Sequence, residues 1–163
     1  MSIKRFDGDR GKTFLLNGKA LSKAELVFDA LGDLDELNSF FGIAKNYLKN
    51  KKFKKLIEGI QRDLFKISAK LAGAKNDSLN LLITNLDDNL MYCQKKVGSI
   101  HQFVIPGKLL VSANLDVCRA ITRRAERNVS KLSKKKKLDQ NIVIYLNHLS
   151  KFLFFFARMI DKR

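Results

Sequence analysis

The chain has 163 residues, of which 45% are hydrophobic and 29% charged, a balance that argues against an intrinsically disordered chain and against a bundle of membrane helices. One proline and nine glycines argue against a turn-rich β-sandwich or barrel, and two cysteines are too few for a disulfide scaffold, so we expect a globular, helical protein of a reducing compartment. The 32 lysines and arginines outnumber the 16 acidic residues, and the resulting charge of +16 favours polyanionic partners without choosing among nucleic acid, phosphorylated ligands and anionic lipid.

We expect a single domain over residues 1–163, with an N-terminal arm (residues 1–31) followed by a helical bundle (residues 32–163). The arm lacks the apolar core of a secretory signal. The longest strongly apolar stretch, Phe152 to Ala157, is far shorter than a membrane-spanning helix. These features predict a cytoplasmic protein that makes no membrane contact.

The arm contains a glycine-rich motif, GDRGKT, from Gly8 to Thr13. It is not a Walker A loop, because that motif has four residues between its glycines and follows a strand, whereas here two residues separate Gly8 from Gly11. Backbone N–H groups, the Lys12 ammonium and the Thr13 hydroxyl can still surround phosphate groups. The arm is therefore a candidate phosphate-binding segment.

Helical periodicity dominates the chain after the arm. Asp33 followed by Glu36 predicts an N-cap with its capping-box partner at the start of the first helix. A second helix is predicted from about Phe53 to Ala74, and either Asn76 or Asp77 is expected to cap a third.

Two lysine clusters, within residues 51–55 and 134–137, fall between these periodic segments. We interpret them as solvated turns between helices, with binding of a partner as the alternative. The sequence lacks the interleaved aromatic side chains of a platform for single-stranded nucleic acid.

The segment from Gly98 to Gly107 contains FVIPG and interrupts the helical pattern, so we expect an extended connection there, with Pro106 near the start of the next helix. A fourth helix is predicted from Lys108 to about Ser133, and a fifth from about Asp139 to Asp161. Long helices joined by short polar turns pack well as a bundle. The sequence thus predicts an all-α fold, an antiparallel five-helix bundle preceded by a glycine-containing arm.

The predicted fourth helix has a polar face. At about 100° of rotation per residue, its polar side chains fall within a band about 80° wide. These are Ser112, Asp116, Arg119, Arg123 and Glu126. Four arginines crowd between residues 119 and 127, and an arginine fork holds carboxylate or phosphate in two directions. The choice of arginine points to anion recognition or a fixed ion pair, and the alternative is an exposed face with intrahelical salt bridges.

The predicted fifth helix carries a polar line, Asn147, Lys151 and Arg158, opposite its apolar face. Asn147 can both donate and accept hydrogen bonds, as recognition of a base edge or a ribose requires. His148 has no second histidine or cysteine at ligand spacing, so no metal site is predicted there.

Several motifs follow one another in a specific order along the chain. They are Gly8-Asp9-x-Gly11-x-Thr13, Ser22-Lys23, Gly32-x-x-Asp35-Glu36-Leu37-Asn38-Ser39, Ile60-Gln61-x-Asp63-Leu64-Phe65, Phe103-Val104-Ile105-Pro106-Gly107, Arg119-x-x-x-Arg123-Arg124-Ala125-Glu126-Arg127 and Tyr145-Leu146-Asn147-x-Leu149-Ser150. This series, which runs from the arm to the last helix, resembles the trimeric, propanediol-utilisation type of ATP:cob(I)alamin adenosyltransferase.

The resemblance implies a five-helix bundle that assembles as a homotrimer, with active sites between neighbouring subunits. Its motifs carry over to a nucleotide site in which Gly8, Thr13 and Lys23 hold the triphosphate and Arg123, Arg124, Glu126, Arg127 and Asn147 complete the pocket. It further implies that Arg119 pairs with Asp35 of a neighbouring subunit and that Phe103 lies against the corrin.

The reaction that the resemblance implies is attack of Co(I) on the 5′ carbon of ATP, with loss of triphosphate and formation of adenosylcobalamin. The protein then aligns the two substrates and offsets charge on the leaving group, Mg²⁺ bridges phosphate oxygens, and no general base is needed. A reductase and an adenosylcobalamin-dependent acceptor enzyme are possible partners. The alternatives are a non-catalytic nucleotide- or corrinoid-binding bundle and a basic nucleic-acid-binding helical protein, of which the second has less support.

Three departures from the family pattern concern the proposed site. Residues 5–7 read Arg-Phe-Asp where the family has Thr-Lys-Thr, and Lys108 replaces the second glycine of PGG. In the last helix His148 replaces an arginine and Lys151 an acid. If that arginine and that acid pair with each other, the two changes leave the fold unharmed, whereas loss of an acid that serves the site would slow turnover.

Overall fold

The computed structural model describes residues 8–74 and 78–162, and within these residues it contains five α-helices and one short antiparallel hairpin. The strands are β1 (Lys12–Phe14) and β2 (Ala20–Ser22), and the helices are α1 (Leu26–Tyr47), α2 (Lys51–Leu71), α3 (Asn80–Val97), α4 (Leu110–Lys135) and α5 (Asn141–Asp161). The predicted all-α, five-helix fold is confirmed. Asn76 and Asp77, the two expected caps of α3, lie outside the described residues. The same is true of residues 1–7 of the predicted arm.

The hairpin in the arm was not predicted. Thr13 of β1 pairs with Leu21 of β2, and Gly18 closes the turn with a positive φ of 79°. Leu15 is buried in the core, and a Cβ atom on Gly73 would lie 2.4 Å from Nδ2 of Asn17, so the hairpin packs closely on the end of α2. Strands of three residues leave too weak an alternating pattern for the sequence to reveal them.

The first helix begins at Leu26, so the predicted N-cap at Asp33 and the predicted start of the bundle at residue 32 are wrong. Val27 already faces the core, which extends the helical pattern towards the N-terminus. Asp33 lies inside α1 with 8% of its surface exposed, and its carboxylate accepts hydrogen bonds from Nε of Arg124 (2.7 Å) and Nδ2 of Asn128 (2.8 Å). The acid therefore joins two helices rather than capping one.

The first lysine cluster is helical rather than a turn. Asn50 caps α2 by accepting hydrogen bonds from the backbone N–H groups of Lys52 (2.8 Å) and Phe53 (3.3 Å). With this cap at Asn50 and with Phe53 buried in the core, the lysines of residues 51–55 belong to the first turns of α2. In the second cluster α4 continues to Lys135, and the solvated connection starts only after it.

Helix α4 starts at Leu110, later than the predicted Lys108, and Pro106 stands outside it. The Ser112 hydroxyl donates to the backbone oxygen of Leu109 (2.9 Å) and accepts from its N–H (3.2 Å). This exchange satisfies backbone groups at the helix end and defines its first residue.

The five helices pack in the order α2, α1, α4, α5 and α3. By length and composition alone α5 could cross a membrane, but 61% of its apolar window is buried inside the bundle. The Phe156 ring stacks on Phe152 and meets the edge of Phe53 of α2 at 5.1 Å. We therefore describe α5 as the core helix of this fold.

Both cysteines are buried free thiols, Cys93 on α3 and Cys118 on α4. Burial raises the pKa of each thiol to about 12. At about pH 8, where an ordinary thiol is partly ionised, both remain protonated and unreactive. We expect iodoacetamide to label them only after unfolding in urea, as measured by mass spectrometry. Labelling of the folded chain at the rate of a free cysteine would contradict this expectation.

Candidate functional site

The arm brings Gly8 and Lys23 together. The Gly11 N–H donates to the Gly8 oxygen (3.3 Å), and the Lys23 N–H donates to the Gly11 oxygen (2.8 Å). A Cβ atom on Gly8 would lie 2.7 Å from Nζ of Lys23, so glycine leaves room for the ammonium. Thr13 is half-buried on the adjacent strand. A turn of backbone beside an ammonium suits an anion.

Three arginines of α4, Arg119, Arg123 and Arg127, recur at every fourth residue and therefore share one side of the helix. Arg123 and Arg127 are exposed, and Glu126 beside them is half-buried. Within residues 8–74 and 78–162 neither of these exposed guanidinium groups has a carboxylate partner, so the intrahelical salt bridges considered as an alternative are not formed by Arg123 or Arg127. Both cations remain available to an anionic ligand.

Arg124 points elsewhere and is held between α4 and α1. Its Nε donates to Asp33 at 2.7 Å, and its Nη2 pairs with Glu36. The hydrogen bond to Asp33 raises the pKa of the guanidinium. This arginine, which the resemblance assigns to the nucleotide, is thus engaged in an ion pair of its own chain.

The Arg124→Ala variant is expected to lower the free energy of unfolding by about 1 kcal/mol, because the buried Asp33 loses a donor while solvent screens the exposed guanidinium. Urea denaturation followed by circular dichroism measures this change. Arg127→Ala serves as the control and should change the stability little, because Arg127 is an exposed arginine of the same helix. Equal stabilities of the two variants would contradict the assignment.

The first half of the predicted polar band on α4 does not face solvent. Ser112 and Asp116 are buried, and Asp116 accepts a hydrogen bond from Nη2 of Arg158 on α5 at 2.5 Å. Arg158 is also buried, so the prediction that it lies on a polar line opposite the apolar face is wrong. This ion pair was not predicted from the sequence, where the one signal for it was a single arginine that follows the run of phenylalanines in α5.

Arg119 lies at the border of this buried pair. Its Nε is 3.8 Å from Oδ1 of Asp116, and that nitrogen is buried without a hydrogen-bond partner in the described part of the chain. Arg158 neutralises Asp116 at the shorter distance. The Arg119 guanidinium therefore retains capacity for another carboxylate.

Asn147 and His148 lie on α5, and both are half-buried. Nδ1 of His148 is 2.6 Å from Oδ1 of Asp87 on α3, whereas Lys151 is exposed. In this chain the residue at position 148 is thus paired with α3 and not with position 151. The replacements at the two positions are structurally independent.

Asp35 and Phe103 are both exposed and lie on different parts of the surface. Asp35 lines a polar groove of about 520 Å³ between α1 and α2, next to Phe65, which is 64% exposed. Phe103 is fully exposed in the connection between α3 and α4. Val104 and Ile105 next to Phe103 are also exposed, and a contiguous apolar patch of this kind is typical of a surface that a partner covers.

The structure therefore distributes the predicted site residues over separate parts of one chain. Gly8 and Lys23 are adjacent, and the three arginines of α4 share a face. Among residues 8–74 and 78–162 no hydrogen bond or ion pair joins the arm to these arginines, and none joins Asp35 to Arg119. The candidate residues of the arm and those of α4 thus form two groups that no hydrogen bond or ion pair links in the described part of the chain.

Comparison with known proteins identifies the family. The family model for cobalamin adenosyltransferase matches residues 3–160. The corrinoid adenosyltransferase of Bacillus subtilis is 32% identical over an alignment of 175 positions, gaps included. This alignment covers 100% of this chain and 88% of the relative. The corrinoid adenosyltransferase PduO of Salmonella typhimurium is 30% identical, and there the match covers 99% of this chain but 50% of the relative. The chain thus spans about half the length of that relative.

Solved structures agree with the fold. A variant of the PduO-type ATP:corrinoid adenosyltransferase of Lactobacillus reuteri, in complex with cobalamin and ATP, superposes with a TM-score of 0.92 at 27% identity and covers 99% of this chain and 91% of its own. A second variant, in complex with ATP, gives a TM-score of 0.91 at 29% identity and covers 98% and 94%. The motif series, the five-helix architecture and these matches together show that the chain belongs to the cobalamin adenosyltransferase family.

Proposed function

We propose that this chain transfers the 5′-deoxyadenosyl group of ATP to the Co(I) of a reduced corrinoid, forming adenosylcobalamin and releasing triphosphate. The observation that carries the proposal is the exposed row of α4, where Arg123 and Arg127 have no carboxylate partner in the described part of a chain of this family. The structurally similar Lactobacillus reuteri protein has been solved with both cobalamin and ATP.

The chemistry requires alignment and charge rather than proton transfer. Co(I) supplies the electron pair of the new cobalt–carbon bond, the bond between C5′ and the phosphate oxygen breaks, and triphosphate leaves with its electrons. Cations around the triphosphate stabilise the negative charge that develops on it. Gly8, Thr13 and Lys23 would hold the triphosphate, and Arg123, Glu126, Arg127 and Asn147 would complete the nucleotide site. We expect Arg124 to act by fixing α4 against α1.

We propose a homotrimer in which the arm of one subunit meets α4 of the next, because no hydrogen bond or ion pair joins the arm to the α4 arginines within the described part of one chain. Arg119 would pair with Asp35 of a neighbouring subunit, which is supported by the exposed third of the Arg119 side chain and the exposed carboxylate of Asp35. Phe103 would lie under the corrin and exclude its lower axial ligand, which makes reduction to Co(I) easier. Its full exposure in the single chain supports this role.

Mg²⁺ would be bound through the triphosphate. Residues 8–74 and 78–162 contain no group of three or more acidic, histidine or cysteine side chains that could hold a cation. A reductase that supplies Co(I) and an acceptor enzyme that uses adenosylcobalamin are further proposed partners, in the cytoplasm. We do not propose a nucleic-acid or membrane partner.

The proposed function is tested with purified protein, ATP and chemically reduced cobalamin. Turnover should produce the absorbance change of a new cobalt–carbon bond. Binding of both substrates without that change would favour the non-catalytic bundle instead. Affinity for nucleic acid that falls steeply with salt, in the absence of turnover, would favour the nucleic-acid-binding alternative.

Asp35→Asn is expected to weaken the trimer about tenfold while the subunit remains folded, because the variant keeps the shape of the side chain but loses the charge that faces Arg119. Analytical ultracentrifugation over a concentration series measures the change. Asp88→Asn, which neutralises an exposed acid on α3, is the matched control. A fully active Asp35→Asn trimer of unchanged stability would refute the pairing.

A further inference from the structure

The segment that carries Phe103 is held by few contacts of its own beyond the half-buried Ile100, which packs against the core. Residues 98–109 connect α3 to α4 without a helix or strand, and residues 101–109 are all exposed. A glycine with positive φ stands near each end, Gly98 at 74° and Gly107 at 102°. Such glycines permit the sharp turns by which the segment leaves both helices, but they do not hold it in place.

Two lysines tie the ends of this segment to the last turn of α5. At the start, Nζ of Lys162 donates to the backbone oxygen of Val97 at 2.5 Å. At the end, Nζ of Lys108 donates to the backbone oxygen of Asp161 at 2.6 Å. Both ends of the segment thus meet adjacent residues of the same helix terminus. Carbonyl oxygens at the C-terminus of a helix carry partial negative charge, which favours the Lys108 contact.

The last turn of α5 is itself fixed. Arg158 is 5% exposed, and it pairs with Asp116 of α4 at 2.5 Å and with Asp161 at 3.0 Å. Its guanidinium also lies 5.7 Å from the ring centre of Phe154. The helix terminus therefore offers a rigid anchor for the segment, and the same Asp116 borders Arg119 at 3.8 Å.

We propose that Lys108 and Lys162 are positioning residues that hold the Phe103 segment on the C-terminal turn of α5 and thereby set the affinity for the reduced corrinoid. This inference rests on the proposed function, in which Phe103 contacts the corrin. Neither lysine touches the reacting atoms. They act by reducing the conformational freedom that the segment would lose when the corrinoid binds.

The first test is limited chymotrypsin digestion of the full chain, with the rate of cleavage after Phe103 read by mass spectrometry. The Lys108→Met/Lys162→Met double variant should be cleaved there about fivefold faster than the wild type, the size expected when charge-assisted hydrogen bonds are lost at an exposed site. Replacing both lysines by arginine keeps the donors and should restore the wild-type rate. Lys95→Met, an exposed lysine in the last turn of α3, is the control and should leave the rate unchanged.

The second test separates positioning from general stability. The methionine double variant should raise the KM for the reduced corrinoid about fivefold and leave the KM for ATP unchanged. An unchanged cleavage rate after Phe103, or equal rises in both KM values, would overturn the inference. If the wild type itself shows no turnover, the proposed function fails, whereas the proteolysis experiment still decides whether the two lysines hold the segment.

Discussion

Replacing Arg123 by alanine is expected to weaken ATP binding about 100-fold, a loss of about 3 kcal/mol, while the fold remains intact. Arg123 is exposed on α4 and has no carboxylate partner within residues 8–74 and 78–162, so its removal breaks no ion pair of the described chain. The loss falls on the nucleotide, because a guanidinium forms two parallel charge-assisted hydrogen bonds to phosphate. Isothermal titration with ATP measures the affinity.

Two further variants sharpen this experiment. Arg123→Lys keeps the charge but not the planar fork, so its affinity should fall between those of the wild type and the alanine variant. Lys131→Ala removes another exposed cation further along the same helix and should change ATP binding little. An unchanged ATP affinity in Arg123→Ala would show that the exposed arginines of α4 do not bind the nucleotide. The main support for the proposed function would then be lost.

Replacing Asp116 by alanine is expected to lower the free energy of unfolding by about 3 kcal/mol. Both side chains of the pair are 6% exposed, and the variant leaves the buried Arg158 guanidinium with Asp161, at 3.0 Å, as its carboxylate contact. Desolvation of a charge that has lost its closer partner is costly, whereas the intact pair is compensated. Urea denaturation at constant m-value measures the loss.

The control for this experiment is Asp88→Ala, which removes an exposed acid and should change the stability by less than about 0.5 kcal/mol. The triple variant Asp116→Leu/Arg158→Met/Asp161→Asn removes the pair together with the second carboxylate that Arg158 holds at 3.0 Å, and it should recover much of the stability, because no buried unpaired charge remains. An Asp116→Ala variant as stable as the control would show that the buried pair contributes nothing to the fold.

The helices were predictable because their signal is local. Apolar residues at spacings of three and four mark each core-facing stripe, and the observed bounds of α4 and α5 lie within about two residues of the expected ones, as is usual for helix ends. The same local rule misled at Asp33. An acid followed by Glu36 matches a capping box, but both carboxylates instead pair with Arg124, a residue 91 positions after Asp33.

The polar band of α4 shows that local sequence patterns were equally insufficient to predict the candidate site. Helical spacing correctly groups Arg119, Arg123 and Arg127 on one side, but it cannot distinguish a polar residue that faces solvent from one that faces an opposite charge on another helix. Asp116 belongs to the second kind, because its partner Arg158 stands 42 residues away. Only packing brings such a pair together.

By itself the amino-acid sequence determined the helical architecture and the order of the motifs, since periodicity and spacing are properties of neighbouring residues. The tertiary structure decided which charges are paired inside the chain and which stay available. Arg124 and Arg158 are held by carboxylates of other segments, while Arg123 and Arg127 remain exposed. The physical reason is that desolvation and ion pairing depend on distances between residues far apart in the chain, and folding alone sets those distances.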